Sequence, residues 1–229
     1  MLFGLQKMTL LDYPGKVACT IFCSGCNFRC PFCHNPSLAK GDERLLDYSF
    51  AEILSFLESR KHKLDGICIT GGEPLLHKEI IDLACAAKEM GFLIKIDTNG
   101  SFPDRLQEIV RNNIADYIAL DIKNSPEKYE ITTGRKMLEQ VKKSVAYLLQ
   151  EHVEYEFRTT VTGNLHTAAD FEKIGKWISG AKIYYLQKFV NSGSILAGEG
   201  ERFEVSPECM REYQKIVRDY IPSVELRGI

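Results

Sequence analysis

Three cysteines in one short segment have the residue type and spacing of a metal-binding loop. Cys26, Cys30 and Cys33 form a C-x3-C-x2-C pattern. This spacing lets one loop wrap three thiolates around a compact centre, and thiolates are preferred protein ligands of iron–sulfur clusters and of zinc. A structural zinc site closes its coordination with four protein ligands. A [4Fe-4S] cluster held by three cysteines instead leaves one iron open to a small molecule.

The other cysteines are distributed differently from this triad. Five of the eight cysteines fall between positions 19 and 33, and three occur singly elsewhere. A disulfide framework would spread its bridges through the fold, so the clustering favours metal ligation. The alternative to a cluster is a zinc site with His34 or Cys23 as the fourth ligand. The cysteines outside the triad are interpreted as structural: Cys19, Cys23, Cys68, Cys85 and Cys209.

Composition excludes several other classes of protein. The chain has 229 residues, of which 45% are hydrophobic and 26% are charged, and its formal net charge is −2. These values are typical of a soluble globular protein and favour neither a nucleic-acid nor a membrane-surface partner. The N-terminal segment lacks the features of a signal peptide, so a cytoplasmic location is expected. We expect one domain over residues 1–229, since no linker or internal repeat is visible.

Strand-like and helix-like segments alternate along the chain. Six apolar runs predict strands at 17–22, 66–70, 92–97, 117–121, 153–161 and 182–187. Apolar residues at helical spacing predict helices at 49–61, 77–90, 103–113, 135–151, 167–179 and 206–220. Such alternation predicts an α/β fold with a parallel sheet, and it fits a doubly wound sheet and a partial (β/α)6 barrel equally well.

The residues with chemical potential follow the carboxyl ends of the predicted strands. They occupy 26–33, 71–74, 97–99 and 121–123. In both candidate architectures the carboxyl edge of the sheet carries the active site. The sequence therefore predicts one site that is assembled from several loops.

The cysteine pattern, with the aromatic Phe32 before its last member, resembles the signature of the radical S-adenosylmethionine (SAM) superfamily. The adjoining His34 and Asn35 are similar to the subfamily that activates glycyl radical enzymes. Residues 8–16 and 25–36 resemble the activating proteins of anaerobic ribonucleoside-triphosphate reductase, and the similarity extends to about residue 190. The resemblance implies a partial (β/α)6 barrel of the radical SAM type with its cluster loop at 23–36 and its last helix near 206–220.

The resemblance also implies a chemistry. The open iron would bind the methionine part of SAM, and one electron would cleave the S–C5′ bond to give a 5′-deoxyadenosyl radical. The partner would be a large glycyl radical enzyme, anaerobic ribonucleotide reductase by the motif match. A flavodoxin- or ferredoxin-type protein would supply the electron. One triad predicts one [4Fe-4S] cluster.

Several loop residues acquire roles through the same resemblance. Gly71, Gly72 and Glu73 resemble the motif that contacts the SAM amino group. Without that context, two glycines after a strand are a common turn, and Glu73 could cap the following helix.

Two acidic residues end neighbouring strands. Asp97, Thr98 and Asp121 match positions that hold a monovalent cation near the SAM carboxylate in the family, and Lys123 would pair with that carboxylate. On their own, such charges could simply begin solvated loops.

Three further residues have weaker assignments. Arg158 and Phe189 correspond to positions near the SAM ribose and adenine, although Phe189 stands where a histidine is expected and could equally be a core residue. Asp12, in a Pro–Gly turn, is expected at the rim of the site, where the partner's glycine loop would enter.

Two rival functions stay open at this point. One is a small-molecule radical SAM enzyme such as 7-carboxy-7-deazaguanine synthase, against which His34 and Asn35 argue. The other is a non-catalytic module that binds zinc or a cluster. The isolated histidines, His62, His77, His152 and His166, are expected to be surface or helix-capping residues.

Overall fold

The computed structural model describes residues 2–42, 46–191, 193, 195–198 and 201–229. The described residues contain nine strands in one sheet. In chain order the strands are β1 (Leu2–Thr9), β2 (Ala18–Cys23), β3 (Tyr48–Ser49), β4 (Gly66–Gly71), β5 (Leu93–Thr98), β6 (Tyr117–Asp121), β7 (Glu154–Val161), β8 (Tyr184–Lys188) and β9 (Val224–Arg227). Across the sheet their order is β3-β1-β2-β4-β5-β6-β7-β8-β9.

Strand direction and strand order together define the architecture. From β2 through β4 to β9 all neighbours are parallel, whereas β1 pairs antiparallel with β2 and with β3. The parallel strands follow one another in chain order and never reverse direction across the sheet. Right-handed crossovers that always advance the same way place their helices on the same face of the sheet. The predicted α/β fold with a parallel sheet is confirmed, and the doubly wound alternative is excluded.

The described helices connect these strands. They are α1 (Pro36–Ala39), α2 (Phe50–Arg60), α3 (Lys78–Glu89), α4 (Pro103–Arg111), α5 (Tyr129–Thr133), α6 (Leu138–Leu148), α7 (Ala168–Trp177) and α8 (Pro207–Val217). Local sequence explains their starts: Ser49 and Glu52 form a capping box at α2, and Ser206 caps α8 just before Pro207. Among the helices that the structure describes, none is long and apolar enough to cross a bilayer.

Each of the six predicted strands and six predicted helices has a counterpart, but five elements were not predicted. The elements that the sequence analysis did not predict are β1, β3, β9, α1 and α5. Most residues of β1 are at least partly exposed, so the strand lacks a regular apolar alternation, and the others span five residues or fewer. The predicted helix at 135–151 begins only at Leu138, and residues 129–133 form a separate short helix.

Neighbouring residues on the parallel strands lie on opposite faces of the sheet. One face is apolar: Ile69, Ile96 and Ile118 are aligned across β4, β5 and β6 and are fully buried in the main core. The alternate positions of the same strands, such as Lys95 and Asp97 on β5, belong to the other face. The fold thus separates an apolar face that packs into the core from a polar face that carries charges.

Candidate active site

A cavity opens at the carboxyl end of β2 and of β4 to β7, the edge that the sequence analysis singled out. Eleven of the fourteen predicted site residues line it: Cys26, Cys30, Phe32, Cys33, Gly71, Gly72, Asp97, Thr98, Asp121, Lys123 and Arg158. Asp12, Glu73 and Phe189 do not. Residues separated by more than 130 positions therefore meet here because parallel strands end at a common edge.

The cluster loop is held by backbone hydrogen bonds to the loop that follows β4. The Gly72 N–H donates to the Cys23 carbonyl at 2.9 Å, and the Glu73 N–H donates to the Gly25 carbonyl at 2.8 Å. The His77 ring adds a contact from Nε2 to the Ser24 carbonyl at 2.8 Å. His77 is the N-cap residue of the helix that begins at Lys78, as the expected capping role implies, but its side chain makes no capping hydrogen bond and instead braces this loop.

The two glycines after β4 are required by this close packing. Gly71 has φ of +114°, and a Cβ on it would lie 2.5 Å from the Cys23 carbonyl oxygen. A Cβ on Gly72 would lie 2.0 Å from the Gly25 carbonyl oxygen. Side chains at either position would thus push the cluster loop away from β4. The glycines bring the backbone close to another loop as well as to the cavity.

Cys26, Cys30 and Cys33 all line this cavity. Burial raises the pKa of Cys30 to about 12, with smaller contributions from the neighbouring thiols and an opposing one from Lys123. Burial also raises the pKa of Cys26. Iron binding would therefore displace protons from these thiols. Across the described ranges no three His, Cys, Asp or Glu side chains form a site for a metal ion. Three thiols on one loop are a donor set that fits an iron–sulfur cluster, in which each binds a different iron.

Arg158 joins the two acidic residues that end β5 and β6. Its Nη1 donates to Asp97 Oδ2 at 3.0 Å, and its Nε donates to Asp121 Oδ1 at 2.9 Å. The ammonium group of Lys123 donates to Asp121 Oδ2 at 2.9 Å. The result is an alternating row of positive and negative side chains along the cavity wall.

All members of this row are ionised at neutral pH. Burial would raise the pKa of Asp97, but the charges of Arg158 and Lys95 outweigh it and lower that pKa. The same competition between burial and the charges of Arg158 and Lys123 lowers the pKa of Asp121 to about 2. Burial would lower the pKa of Lys123, yet Asp121 raises it overall. Lys123 is therefore a fixed positive charge at the cavity.

Two residues of this polar face, Lys95 and Glu156, were missed by the sequence analysis. Lys95 is 1% exposed and pairs with Asp97. Glu156, also 1% exposed, accepts hydrogen bonds from Tyr117 at 3.2 Å and from Arg227 at 3.2 Å. A sequence signal for both residues was available. Each is a charged residue inside an apolar strand segment, two positions before another charged residue, and residues two positions apart on a strand lie on the same face of the sheet.

Glu73 does not reach the cavity. Its carboxylate is fully buried and accepts from Thr98 Oγ1 at 2.6 Å, from the Asn99 N–H at 2.7 Å and from the Leu75 N–H at 3.1 Å. Burial raises its pKa to about 7, against the opposing effect of these donors. The expected contact of this side chain with the SAM amino group is not supported, because the carboxylate instead accepts hydrogen bonds from the loops that follow β4 and β5. The side chain caps the 3-10 turn Pro74–Leu76, whereas the helix expected near His77 begins at Lys78 with His77 as its N-cap residue.

Phe189 is a core residue. It is 1% exposed, its ring stacks on His34 with centroids 5.0 Å apart, and it also contacts the Phe203 ring, whose centroid is 5.8 Å away. The expectation that it stacks on adenine is therefore not met. The His34 ring also contacts the Val190 carbonyl from Nε2 at 2.8 Å, which ties the cluster loop to the chain after β8.

Asp12 lies away from the rim at which it was expected. Its carboxylate accepts from Thr20 Oγ1 at 2.5 Å, and Thr20 lies midway along β2. Next to it, Tyr13 packs on Tyr117 at the start of β6. The reason is topological: β1 is antiparallel to β2, so their connection lies at the edge opposite the cluster loop.

His166 is buried, contrary to the expected surface or capping role. It accepts from the Thr162 N–H at Nδ1 (3.1 Å), so Nε2 carries the proton and donates to the Lys123 carbonyl at 3.0 Å. Burial lowers the pKa of His166 to about 4, so the ring is neutral at physiological pH. His166 thus holds the backbone of the residue whose ammonium group faces the cavity.

Comparison with known proteins assigns this arrangement to a family. The profile described as "Radical SAM superfamily" matches residues 20–178. A protein of Methanocaldococcus jannaschii named "Putative glycyl-radical enzyme activating enzyme" is 34% identical over 238 aligned positions, covering 99% of this chain and 95% of that protein. The pyruvate formate-lyase-activating enzyme of Clostridium pasteurianum is 33% identical over 137 positions, covering 58% and 56%.

A solved structure agrees at the level of the fold. The crystal structure of Streptococcus suis SuiB bound to S-adenosylmethionine superposes with a TM-score of 0.69 at 14% identity. The match covers 89% of this chain and 48% of SuiB. At this identity the likeness concerns the backbone architecture alone.

Proposed function

The chain belongs to the radical SAM superfamily, among its glycyl-radical enzyme activating enzymes, and on this premise we propose that it activates anaerobic ribonucleoside-triphosphate reductase. It would do so by forming a glycyl radical on that separate enzyme. The specific reductase is inferred from the motif resemblance of residues 8–16 and 25–36. We further propose a single radical SAM domain that works in the cytoplasm.

One observation carries this proposal. Cys26, Cys30 and Cys33 open onto the same cavity as the Gly71–Gly72 backbone and the ammonium group of Lys123. Thiolates suit the cluster, and a fixed cation suits the carboxylate of SAM. The groups that would bind the cluster and the group that would bind the SAM carboxylate therefore line the same cavity, as the reaction requires.

The protein's own contribution is to hold the cluster and to orient SAM beside it. When bound and reduced, the cluster and SAM together supply a carbon radical able to take a hydrogen atom from a glycine. Cys26, Cys30 and Cys33 would hold three irons of the cluster. Phe32, which is 4% exposed and lines the cavity, supplies an apolar wall beside the triad.

Lys123 is proposed to bind the SAM carboxylate. Asp121 holds its ammonium group at 2.9 Å, and His166 holds its backbone carbonyl. Arg158 braces Asp121 in turn, so the lysine is positioned before SAM arrives. Such preorganisation reduces the cost of ordering the site on binding.

The partners and cofactors follow from the same proposal. We propose one [4Fe-4S] cluster and SAM as cofactors, and a flavodoxin- or ferredoxin-type protein as the electron donor. The monovalent cation that the family resemblance implies is left out, because every carboxylate oxygen of Asp97 and Asp121 already accepts from Lys95, Lys123 or Arg158.

Anaerobic reconstitution tests the cofactors. The protein should bind about four irons per chain, and reduction with SAM should release 5′-deoxyadenosine. Cys30→Ala should lose the cluster, whereas the matched control Cys209→Ala, which alters a cysteine outside the cavity, should keep it. Full iron content in Cys30→Ala would remove that thiol from the ligand set.

Electron paramagnetic resonance tests the partner. Incubation with anaerobic ribonucleotide reductase, a reductant and SAM should produce a glycyl radical signal on the reductase. A signal on pyruvate formate-lyase in place of the reductase would keep the activating function and change the partner. Release of 5′-deoxyadenosine only with a small-molecule substrate would favour the rival class of radical SAM enzymes.

A further inference from the structure

Lys95 places a positive charge in the interior of the polar face. Its side chain is 2% exposed, and its ammonium group contacts Asp97 Oδ1. Cys68 Sγ lies 3.8 Å from the Lys95 Nζ atom, and the Tyr117 ring centroid lies 6.0 Å away. An unpaired buried ammonium group is costly, so the pairing with Asp97 defines where this charge resides.

The expected monovalent cation does not fit beside this lysine. Such an ion would take oxygen ligands from Asp97, Thr98 and Asp121. The Thr98 hydroxyl, however, donates to Glu73 at 2.6 Å and accepts from the Gly100 N–H at 3.1 Å. The two carboxylates each accept from two cationic side chains. A further cation would meet three positive side chains that already neutralise two negative ones.

We propose that the ammonium group of Lys95 takes the place of the monovalent cation at this site. Other members of the subfamily would bind this positive charge as a free cation, whereas here a side chain of the protein supplies it. Lys95 acts through Asp97 and is a positioning residue. It begins the row Lys95–Asp97–Arg158–Asp121–Lys123, in which each charge contacts the next and the last faces the cavity. The inference rests on the SAM site proposed above.

Through this row, the buried charge of Lys95, which does not itself line the cavity, would affect SAM binding. With Lys95 on one oxygen of Asp97, Arg158 is left to span Asp97 and Asp121. Asp121 then presents its second oxygen to Lys123. Removing Lys95 leaves Asp97 with excess negative charge, which would draw Arg158 toward it and loosen the hold on Lys123.

Salt-dependent SAM binding tests the inference. The reconstituted, oxidised holoenzyme is dialysed against labelled SAM in NaCl, KCl or tetramethylammonium chloride at equal ionic strength. The unsubstituted protein should bind SAM with the same Kd, within about twofold, in all three salts, since its cation is covalently attached. A Kd that rises about tenfold in tetramethylammonium and recovers in Na⁺ or K⁺ would overturn the proposal.

A charge-removing variant provides the second arm. Lys95→Met should weaken SAM binding by about tenfold in tetramethylammonium, and Na⁺ or K⁺ should restore much of the affinity by entering beside Asp97. Lys95→Arg, which keeps the charge, should remain independent of salt. Lys88→Met, which removes a lysine from its ion pair with Asp116 off the cavity, should match the parent in every salt.

The outcomes separate this inference from the proposed function. A loss in Lys95→Met that is equal in all three salts would mean a structural role for Lys95 and would overturn the replacement of the cation. If Lys95→Met does not fold, the salt series on the unsubstituted protein and on Lys95→Arg still decides. Absence of SAM binding by the unsubstituted holoenzyme in every salt would overturn the proposed function itself.

Discussion

The two faces of the parallel sheet are built from the same strands but have opposite chemistry. On β5, Ile94 and Ile96 are fully buried in the core, whereas Lys95 and Asp97 between and beyond them form an ion pair on the other face. β7 repeats the contrast, with Phe157 on the core face and Arg158 on the polar face. Parallel sheets are usually apolar on both faces, so the polar face marks the part of the sheet reserved for the site.

The contrast indicates how stability and chemistry are divided. On the apolar face each side chain contributes a non-directional burial energy of about 1.5–3 kcal/mol, which a similar side chain could supply. On the polar face each charge depends on one or two specific partners, and removal of a partner leaves the other charge buried. The first face tolerates conservative exchange, and the second does not.

The largest effect is expected from a substitution on the polar face, and it tests whether the charges there contribute to stability as well as to SAM binding. Arg158→Met removes the shared partner of Asp97 and Asp121, so unfolding free energy should fall by about 3–5 kcal/mol, as for other broken buried ion pairs. SAM affinity of the folded fraction should fall as well. Urea melts and equilibrium dialysis measure the two effects, and Arg211→Met, an exposed pair with Glu208, is the control. Unchanged stability would mean that this face contributes nothing to the fold.

A substitution on the apolar face should affect stability alone. Ile96→Ala creates a cavity in the core and should cost about 3 kcal/mol of unfolding free energy. SAM affinity per folded molecule should stay within about twofold of the parent. Ile131→Ala, at a 75% exposed position, should leave the urea midpoint unchanged. A large loss of SAM affinity in folded Ile96→Ala would break the comparison between the faces.

Lys123→Ala should show the reverse pattern. Loss of one charge-assisted contact to the SAM carboxylate should cost about 1.5–3 kcal/mol of binding free energy. Iron content should be unaffected, because Lys123 is not a thiolate ligand. Lys128→Ala, which removes a lysine paired with Asp170 outside the cavity, should bind SAM normally. Equal SAM affinity in Lys123→Ala would remove Lys123 from the proposed site.

The smallest expected effect is a pH dependence from His166. Its folded pKa of about 4 lies below the ordinary value of 6.5, so the unfolded chain takes up a proton first as pH falls. The contribution of His166 to stability is therefore full above about pH 6.5 and declines toward pH 4, by about 1 kcal/mol between pH 7.5 and 5.5, whereas the raised pKa of Glu73 changes stability in the opposite direction over this range. In His166→Gln this part of the loss should disappear from apo-protein urea melts. His152→Gln, at an exposed position, should keep it; an unchanged slope in His166→Gln would contradict the assignment.

Some of the site was predictable because its signals are local. The cysteine spacing and the glycines after β4 lie within single short segments. The order of loops along one sheet edge follows from the alternation of strands and helices. These features, together with the resemblance to the radical SAM superfamily, led to eleven residues that line the cavity.

The expectations that failed depended on where a side chain points. Glu73 and Phe189 lie within a few positions of the cavity in sequence, but their side chains are buried against Thr98 and His34. Asp12 follows an unpredicted strand that reverses the chain direction, so its loop lies at the other edge. Sequence distance from a motif does not determine these orientations.

Spacing within single segments and the periods of strands and helices predicted a metal-binding triad, the α/β class and the edge of the sheet that carries the cavity, and the family resemblance added the cluster. Which charges contact one another depends instead on the tertiary structure. Lys95, Asp97, Asp121 and Arg158 come from three strands, and their contacts depend on strand order and register. Those are set by burial of the opposite, apolar face, which no local pattern encodes.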